Sequence, residues 1–143
     1  MPEIRTDIEI QSDAQSVWKL LTDIEGHKNW NTVFKDFKGT AEVGRGIKLK
    51  LKVAGKDRPF AAKVLTSDSP KEFAWGSTKS ALDLLISARH YFIIEELAEN
   101  KVRFTHGEKF GGLLPTLFWP LIKGVEPQYH QMNKELKAKA ESE

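Results

Sequence analysis

The spacing of apolar residues changes once along this chain, at Gly111-Gly112. Upstream, from Val33 to Phe110, short segments alternate apolar and polar side chains, the period of a half-buried strand. Downstream, Leu114, Phe118, Leu121, Val125, Tyr129, Met132 and Leu136 recur every three or four residues, one face of a helix. The strand segments are joined by loops too short for the crossover of a dozen residues that parallel pairing needs, so the sheet is expected to be antiparallel. Such a sheet, with its helices on one face, is an α+β architecture. The expectation is a curved sheet of about seven strands around a long C-terminal helix that closes an apolar cavity.

Taken in order, residues 3–10 place Ile4, Thr6, Ile8 and Ile10 on one side and Glu3, Arg5, Asp7 and Glu9 on the other. Ser12 with Gln15 fits a capping box for a helix over 13–22, with Asp13 as a rival cap. Residues 24–31 read as a second short helix. Strands follow near 33–39, 47–53, 59–65, 72–76, 84–96 and 102–110, with Gly55-Lys56-Asp57 as a hairpin turn, Ser67 to Pro70 as loop and 77–83 as a polar connection. The order is β-α-α-β6-α in a single domain over 1–143. Pro115 suits a first helical turn. Pro120, Gly124 and Pro127 interrupt the terminal helix, because an interior proline removes a hydrogen bond and clashes with the preceding turn, so a kink or break is expected between 119 and 127.

Composition narrows the chemistry. Cysteine is absent, which excludes disulfides, thiol nucleophiles and thiolate metal sites. The opening MPEIRTDIEI lacks a signal peptide's apolar run, and no segment approaches the roughly 20 apolar residues of a membrane span. A cytoplasmic protein without stable membrane insertion is expected. Lys48, Lys50 and Lys52 alternate with Leu49 and Leu51 as one wet strand face, and no nucleic-acid motif accompanies them. The nucleophile-elbow, zincin, Walker and dinucleotide fingerprints are all missing. No cofactor is implied.

Several short stretches carry a family resemblance: Ser16-Val17-Trp18-Lys19-Leu20-Leu21-Thr22-Asp23, Trp30-Asn31, His90-Tyr91-Phe92, the run from Arg103 to Leu114, and Met132-Asn133-Lys134-Glu135-Leu136-Lys137. In this order the chain resembles a bacterial branch of the START-type, polyketide-cyclase-like superfamily, whose helix-grip fold also includes the birch-pollen allergens. The resemblance implies an internal cavity for a hydrophobic small molecule. It implies no single reaction, since relatives include carriers, cyclases, receptors and hydroxylase domains.

His90, His106 and Glu108 are the candidates for chemistry. On the last strand Val102, Phe104, His106, Glu108 and Phe110 share a face opposite Arg103, Thr105 and Lys109, and that opposite face is read as solvent. A three-residue loop Ala98-Glu99-Asn100, preferred because Glu suits positive φ poorly, makes paired numbers sum to 198. His90 then faces Glu108, and Phe92 faces His106. Such a pair can be a satisfied structural hydrogen bond, an anchor for a polar ligand group, or an acid and base for a cyclase or dehydratase. Two histidines and a carboxylate also match an iron triad in composition, but adjacent strand positions in an apolar wall are poorly placed to converge on a metal, so none is assigned. The expected ligand wall comprises Phe73, Trp75, His90, Phe92, Phe104, His106, Glu108 and Phe110 on strands, Trp30 after the second helix, and Leu114, Phe118 and Leu121 on the lid. Trp30 fits a core plug as well, and Phe73 and Trp75 fit ordinary core. His27 and His130 are read as surface. The apolar run Leu113 to Ile122, with only Lys123 as a cation, fits a cavity lid or a dimer surface, so the chain is expected to be a monomer or homodimer. A binder or carrier of a hydrophobic small molecule is the leading reading, with a cyclase-type enzyme and a co-chaperone-like interaction module as alternatives.

Overall fold

The computed structural model describes residues 2–77 and 85–143. The expected polar connection at 77–83 therefore lies, apart from Ser77, outside the described residues, as does Leu84. The strands are β1 (Glu3–Ile10), β2 (Lys35–Gly39), β3 (Gly46–Val53), β4 (Lys56–Asp68), β5 (Glu72–Gly76), β6 (Ser87–Ala98) and β7 (Lys101–Gly111). They form one antiparallel sheet in the order β1-β7-β6-β5-β4-β3-β2. The helices are α1 (Ala14–Thr22), a 3-10 turn at Glu25–Asn29, α2 (Leu113–Leu117), α3 (Trp119–Lys123) and α4 (Glu126–Glu141). The sheet curves, its concave side packs against α1 and α4, and the α+β helix-grip architecture is as expected.

Local chemistry explains most boundaries, and corrects several. Asp13, not Ser12, caps α1: its carboxylate accepts from the Ser16 backbone N–H at 3.0 Å and from the Ser16 hydroxyl at 2.7 Å. A carboxylate next to the helix's positive end satisfies two donors at once, which the Ser12 box does not match. The β3–β4 hairpin turns at Ala54-Gly55, with φ of 53° and 80°, and Val53 pairs with Lys56. The expected turn at Gly55-Lys56-Asp57 falls one residue late, since Lys56 already belongs to β4.

The β6–β7 hairpin keeps the expected register by a different device. His90 pairs with Glu108 and Phe92 with His106, but Ala98 pairs with Lys101, so the loop is Glu99-Asn100 and the ladder slips between Glu96 and Ala98. Neither loop residue takes positive φ. The poor fit of Glu to a positive-φ turn is met by an extra residue, Leu97, rather than by a third loop residue. The outer face of β7 also departs from expectation, for Thr105 and Gly107 are buried along with the inner set. Tyr91, opposite Gly107, lies across it: a Cβ there would meet the Tyr91 hydroxyl and the Ile4 carbonyl. An aromatic ring laid over a strand glycine covers exposed backbone.

The terminal arm breaks, as expected, into separate helices, three in all. Pro120 and Pro127 sit in the first turns of α3 and α4, where a missing N–H costs no hydrogen bond. The prolines thus start helices, and the breaks fall just before them, at Phe118 and at Gly124-Val125. Beyond the second break, Tyr129, Met132, Leu136 and Ala140 bury one face of α4 against β1, β7 and α1. Along α2 and α3 four large side chains turn outward, with Leu113 64%, Leu117 70%, Phe118 53% and Leu121 51% exposed, while Trp119 and Ile122 pack against the core. Phe118 and Leu121, both expected on the ligand wall, are thus exposed, Leu121 at the edge of the pocket described below, and Leu114 is half-buried. Two five-residue helices that bury little beyond Pro115 and parts of Trp119 and Ile122 are held weakly. Amide hydrogen exchange is expected to be faster at 113–123 than at 128–138, and equal protection of the two stretches would contradict the hinge.

Candidate functional site

The inner faces of β5, β6 and β7 bring Phe73, Trp75, His90, Phe92, Phe104 and His106 into one aromatic cluster. Trp75 stacks on His90 at 4.7 Å between ring centroids, and Tyr129 of α4 stacks on His106 at 4.4 Å and 7° between planes. Phe34 stands edge-on to both imidazoles, at 5.6 and 5.9 Å. Phe110 lies farther out and meets Trp119 of α3 at 6.0 Å. Of the expected wall, Trp30 falls elsewhere: its ring packs on His27 at 4.5 Å.

Phe34 is placed by a residue expected at the surface. His27 is 1% exposed; its Nε2–H donates to the Leu21 carbonyl at 2.7 Å, and its Nδ1 accepts from Asn31 at 3.0 Å. Asn31 in turn accepts the backbone N–H groups of Val33 and Phe34 at 2.9 and 3.0 Å. The 3-10 turn is thereby locked to the chain that carries Phe34. The surface reading of His27 is corrected because tertiary packing, not local pattern, closes over it. His130 keeps its exposed setting and pairs with Glu126 on the next helical turn.

A continuous chain of polar groups crosses this apolar interior. The Thr6 hydroxyl donates to the His106 carbonyl at 2.7 Å, so its oxygen can only accept from Asn133 at 2.8 Å. Asn133 therefore shows its NH2 to Thr6 and its Oδ1 to His106 Nδ1, 2.9 Å away. His106 must then carry its proton on Nδ1. Burial, with the adjacent His90 as a second cause, holds His106 well below the usual histidine range, so its Nε2 is a bare lone pair. His90 Nε2, 2.7 Å from it, must be the donor. That leaves His90 Nδ1 facing Glu108 Oε1 at 3.5 Å, and Tyr129 donates its hydroxyl to the same Oε1. Burial and the Glu108 charge raise the Tyr129 hydroxyl well above its ordinary range, so it stays a donor.

The network ends where His90 Nδ1 meets Glu108 Oε1. The two Nε2 atoms point at each other across a hydrogen bond, which leaves no gap for a metal between the histidines. No buried side-chain nitrogen or oxygen among the described residues lacks a partner. Thr6, Tyr129 and Asn133 are the members that the candidate set omitted. Their signal was present: Thr6 alternates with Ile4 and Ile10, and Tyr129 and Asn133 are four apart on the helix's buried face.

A pocket of about 300 Å³ lies beside this interior, between the β3–β4 hairpin tip and the arm. It is lined by Ala54, Gly55, Pro120, Leu121, Val125 and Gln128, among others. Gln128 ties the two sides by donating to the Lys52 carbonyl at 2.5 Å. One helical turn beyond Val125, Tyr129 holds Glu108.

The tautomers are directly observable. Long-range nitrogen–proton NMR should show His106 as the Nδ1–H form and His90 with a proton on Nε2; the reverse for His106 would break the chain of assignments. Burial also pushes His27 down to about 4 from 6.5, against the pull of its Leu21 hydrogen bond. Because the unfolded chain binds more protons between these values, stability should fall as pH drops from about 6.5 toward 4. His106 acts in the same direction. The slope should approach about 1.4 kcal/mol per pH unit for each histidine. Denaturant midpoints that stay flat from pH 7 to 5 would contradict two buried neutral imidazoles.

Residues 1–141 match the family model for polyketide cyclase / dehydrase and lipid transport. The fold is shared with the Zhui aromatase/cyclase from Streptomyces sp. R1128, at TM-score 0.79 and 13% identity over 98% of this chain and 93% of that one. It is shared with a START superfamily protein from Mycobacterium smegmatis, at TM-score 0.73 and 14% identity over 98% and 97%. The Aha1 dimer from Colwellia psychrerythraea gives TM-score 0.70 and 20% identity over 99% and 97%. Comparison with curated proteins found no match. Together with the sheet that grips α4, the match along almost the whole chain shows that this protein belongs to the polyketide cyclase / dehydrase and lipid-transport family.

Proposed function

We propose that the protein binds a hydrophobic small molecule, lipid-like, polyketide-like or aromatic, between the concave sheet and the segmented C-terminal arm. The carrying observation is the arm itself: between Leu113 and Leu121 it exposes four large apolar side chains, and its α3 borders the pocket at the hairpin tip. Outward apolar surface on short, weakly held helices has little structural purpose, and it suits a flap that swings over a ligand. The family adds support, because its description joins lipid transport with polyketide chemistry. The chain has no described helix long and apolar enough to cross a membrane, so a ligand would be taken up by the fold rather than by a membrane span.

A second reading rests on a separate observation, the approach of His90 Nδ1 to Glu108 Oε1 at 3.5 Å. That pair could move a proton on a bound aromatic or polyketide-like substrate, in the manner of a cyclase or dehydratase.

Binding is tested with gently purified protein by native mass spectrometry and by uptake of the dye 1-anilinonaphthalene-8-sulfonate. Bound mass or dye uptake is expected, and Leu121→Glu at the exposed pocket rim should weaken dye binding about tenfold while leaving the melting temperature within a few degrees. Protein with no bound mass and no dye uptake would sink the proposal. The enzymatic reading fails if His90→Ala and Glu108→Gln both leave turnover of an identified substrate unchanged.

A further inference from the structure

A ligand in the pocket at the hairpin tip accounts for little of the arm's outer surface. Of the four exposed apolar side chains on the arm, that pocket takes in Leu121 alone; Leu113, Leu117 and Phe118 are not part of its lining. Nor do they stand alone. The chain entering β6 lies against the start of α2, where the Leu114 N–H donates to the Leu85 carbonyl at 2.9 Å and a Cβ on Gly112 would strike the Leu85 and Ile86 backbone. Leu85 and Ile86 are each 45% exposed and extend the same surface. Together the six large apolar side chains present roughly 600 Å², the upper end of what a lone soluble chain shows. A contiguous patch on that scale marks a contact surface rather than scattered exposure.

We propose that this patch is the face on which a second copy of the chain docks, in a two-fold dimer. Its charge pattern selects that occupant. No charged residue occurs between 110 and 122, or between 85 and 88. Of the cations near it, Lys109 turns to the outer face of the sheet over the Tyr91 ring, while Lys123 and, across the pocket, Lys52 stand at one corner only. An anionic membrane surface is engaged through several Lys or Arg along the apolar face, and a charged protein partner needs charge to answer its own. In a two-fold contact the patch meets its own copy, so a charge near the axis would face its like, whereas a neutral apolar patch is complementary to itself. The area agrees, because two such patches cover about 1,200 Å², the lower end of stable interfaces. At that size dimer and monomer exchange, and α2 and α3 remain free to open in the monomer. Leu121 belongs both to the patch and to the pocket lining, so docking of the second copy also covers the pocket rim.

Sedimentation equilibrium between about 5 and 500 µM tests the assignment. The wild-type protein should rise toward twice the chain mass as concentration grows. Leu113→Glu and Leu117→Glu put a charge at exposed positions outside the pocket, so each should fold, leave any bound mass in native mass spectrometry as in wild type, and weaken the dimer at least about tenfold. The absence of native cysteine allows a second measurement. Under mild oxidation Leu117→Cys should form a disulfide-linked pair faster than Thr40→Cys, an exposed site just after β2. Wild-type protein that stays monomeric at every concentration overturns the inference, and if it instead pellets with vesicles of anionic phospholipid the occupant is a membrane. A dimer that survives both glutamate variants, or equal linking at the two cysteine positions, puts the contact on another face and overturns it as well. If the glutamate variants do not fold, the two cysteine variants decide. Ligand uptake is read by a separate measurement, so failure of the dimer leaves the binding proposal standing, and the reverse.

Discussion

Asn133 is the side chain on which sheet and helix agree. The apolar face of α4 would pack against the sheet over a range of positions, because hydrophobic contact has no direction. Asn133 removes that freedom by donating to Thr6 on β1 and accepting from His106 on β7, both within hydrogen-bonding distance and all three buried. A polar residue that must be satisfied in a dry interior selects one axial register and disfavours neighbouring ones. Sliding α4 by one turn would orphan the Asn133 amide and the His106 Nδ1–H together. The same register sets Tyr129 against Glu108 one turn earlier on the helix.

The proton arrangement follows from that contact. Asn133 dictates the His106 tautomer, His106 dictates which nitrogen of His90 carries a proton, and the remaining nitrogen meets Glu108. Around this chain the aromatic rings form a shell that excludes water, with Phe34 held over both imidazoles by the His27–Asn31 pair. Low polarity around the chain strengthens each hydrogen bond and makes any unpaired member costly. The groups that position the helix thus also hold the Glu108 carboxylate, through the Tyr129 hydroxyl.

The C-terminal arm divides labour along its length. Beyond Val125 it is clamped by buried side chains; before Gly124 it rests as two single-turn helices with apolar residues outward. The prolines make this division possible without broken hydrogen bonds, since each begins a helix instead of bending one.

Strand periods, the change of spacing at Gly111-Gly112 and the short loops were enough to determine the antiparallel sheet, the covering helix and even the pairing of His90 with Glu108. Those features depend on contacts between near neighbours in the chain, where side-chain period and turn length act directly. Turn details escaped because equivalent solutions exist: a bulge at Leu97 gives the same register as a longer loop, and Asp13 competes with Ser12 over one residue. The burial of His27, the outward aspect of Phe118 and Leu121, and the partnership of Thr6, Asn133 and Tyr129 with the histidines were decided only in three dimensions. Residues 6 and 133 lie at opposite ends of the chain, and a single hydrogen bond between them leaves no period in either segment. Their meeting depends on the docking of α4, a global outcome that no local pattern encodes.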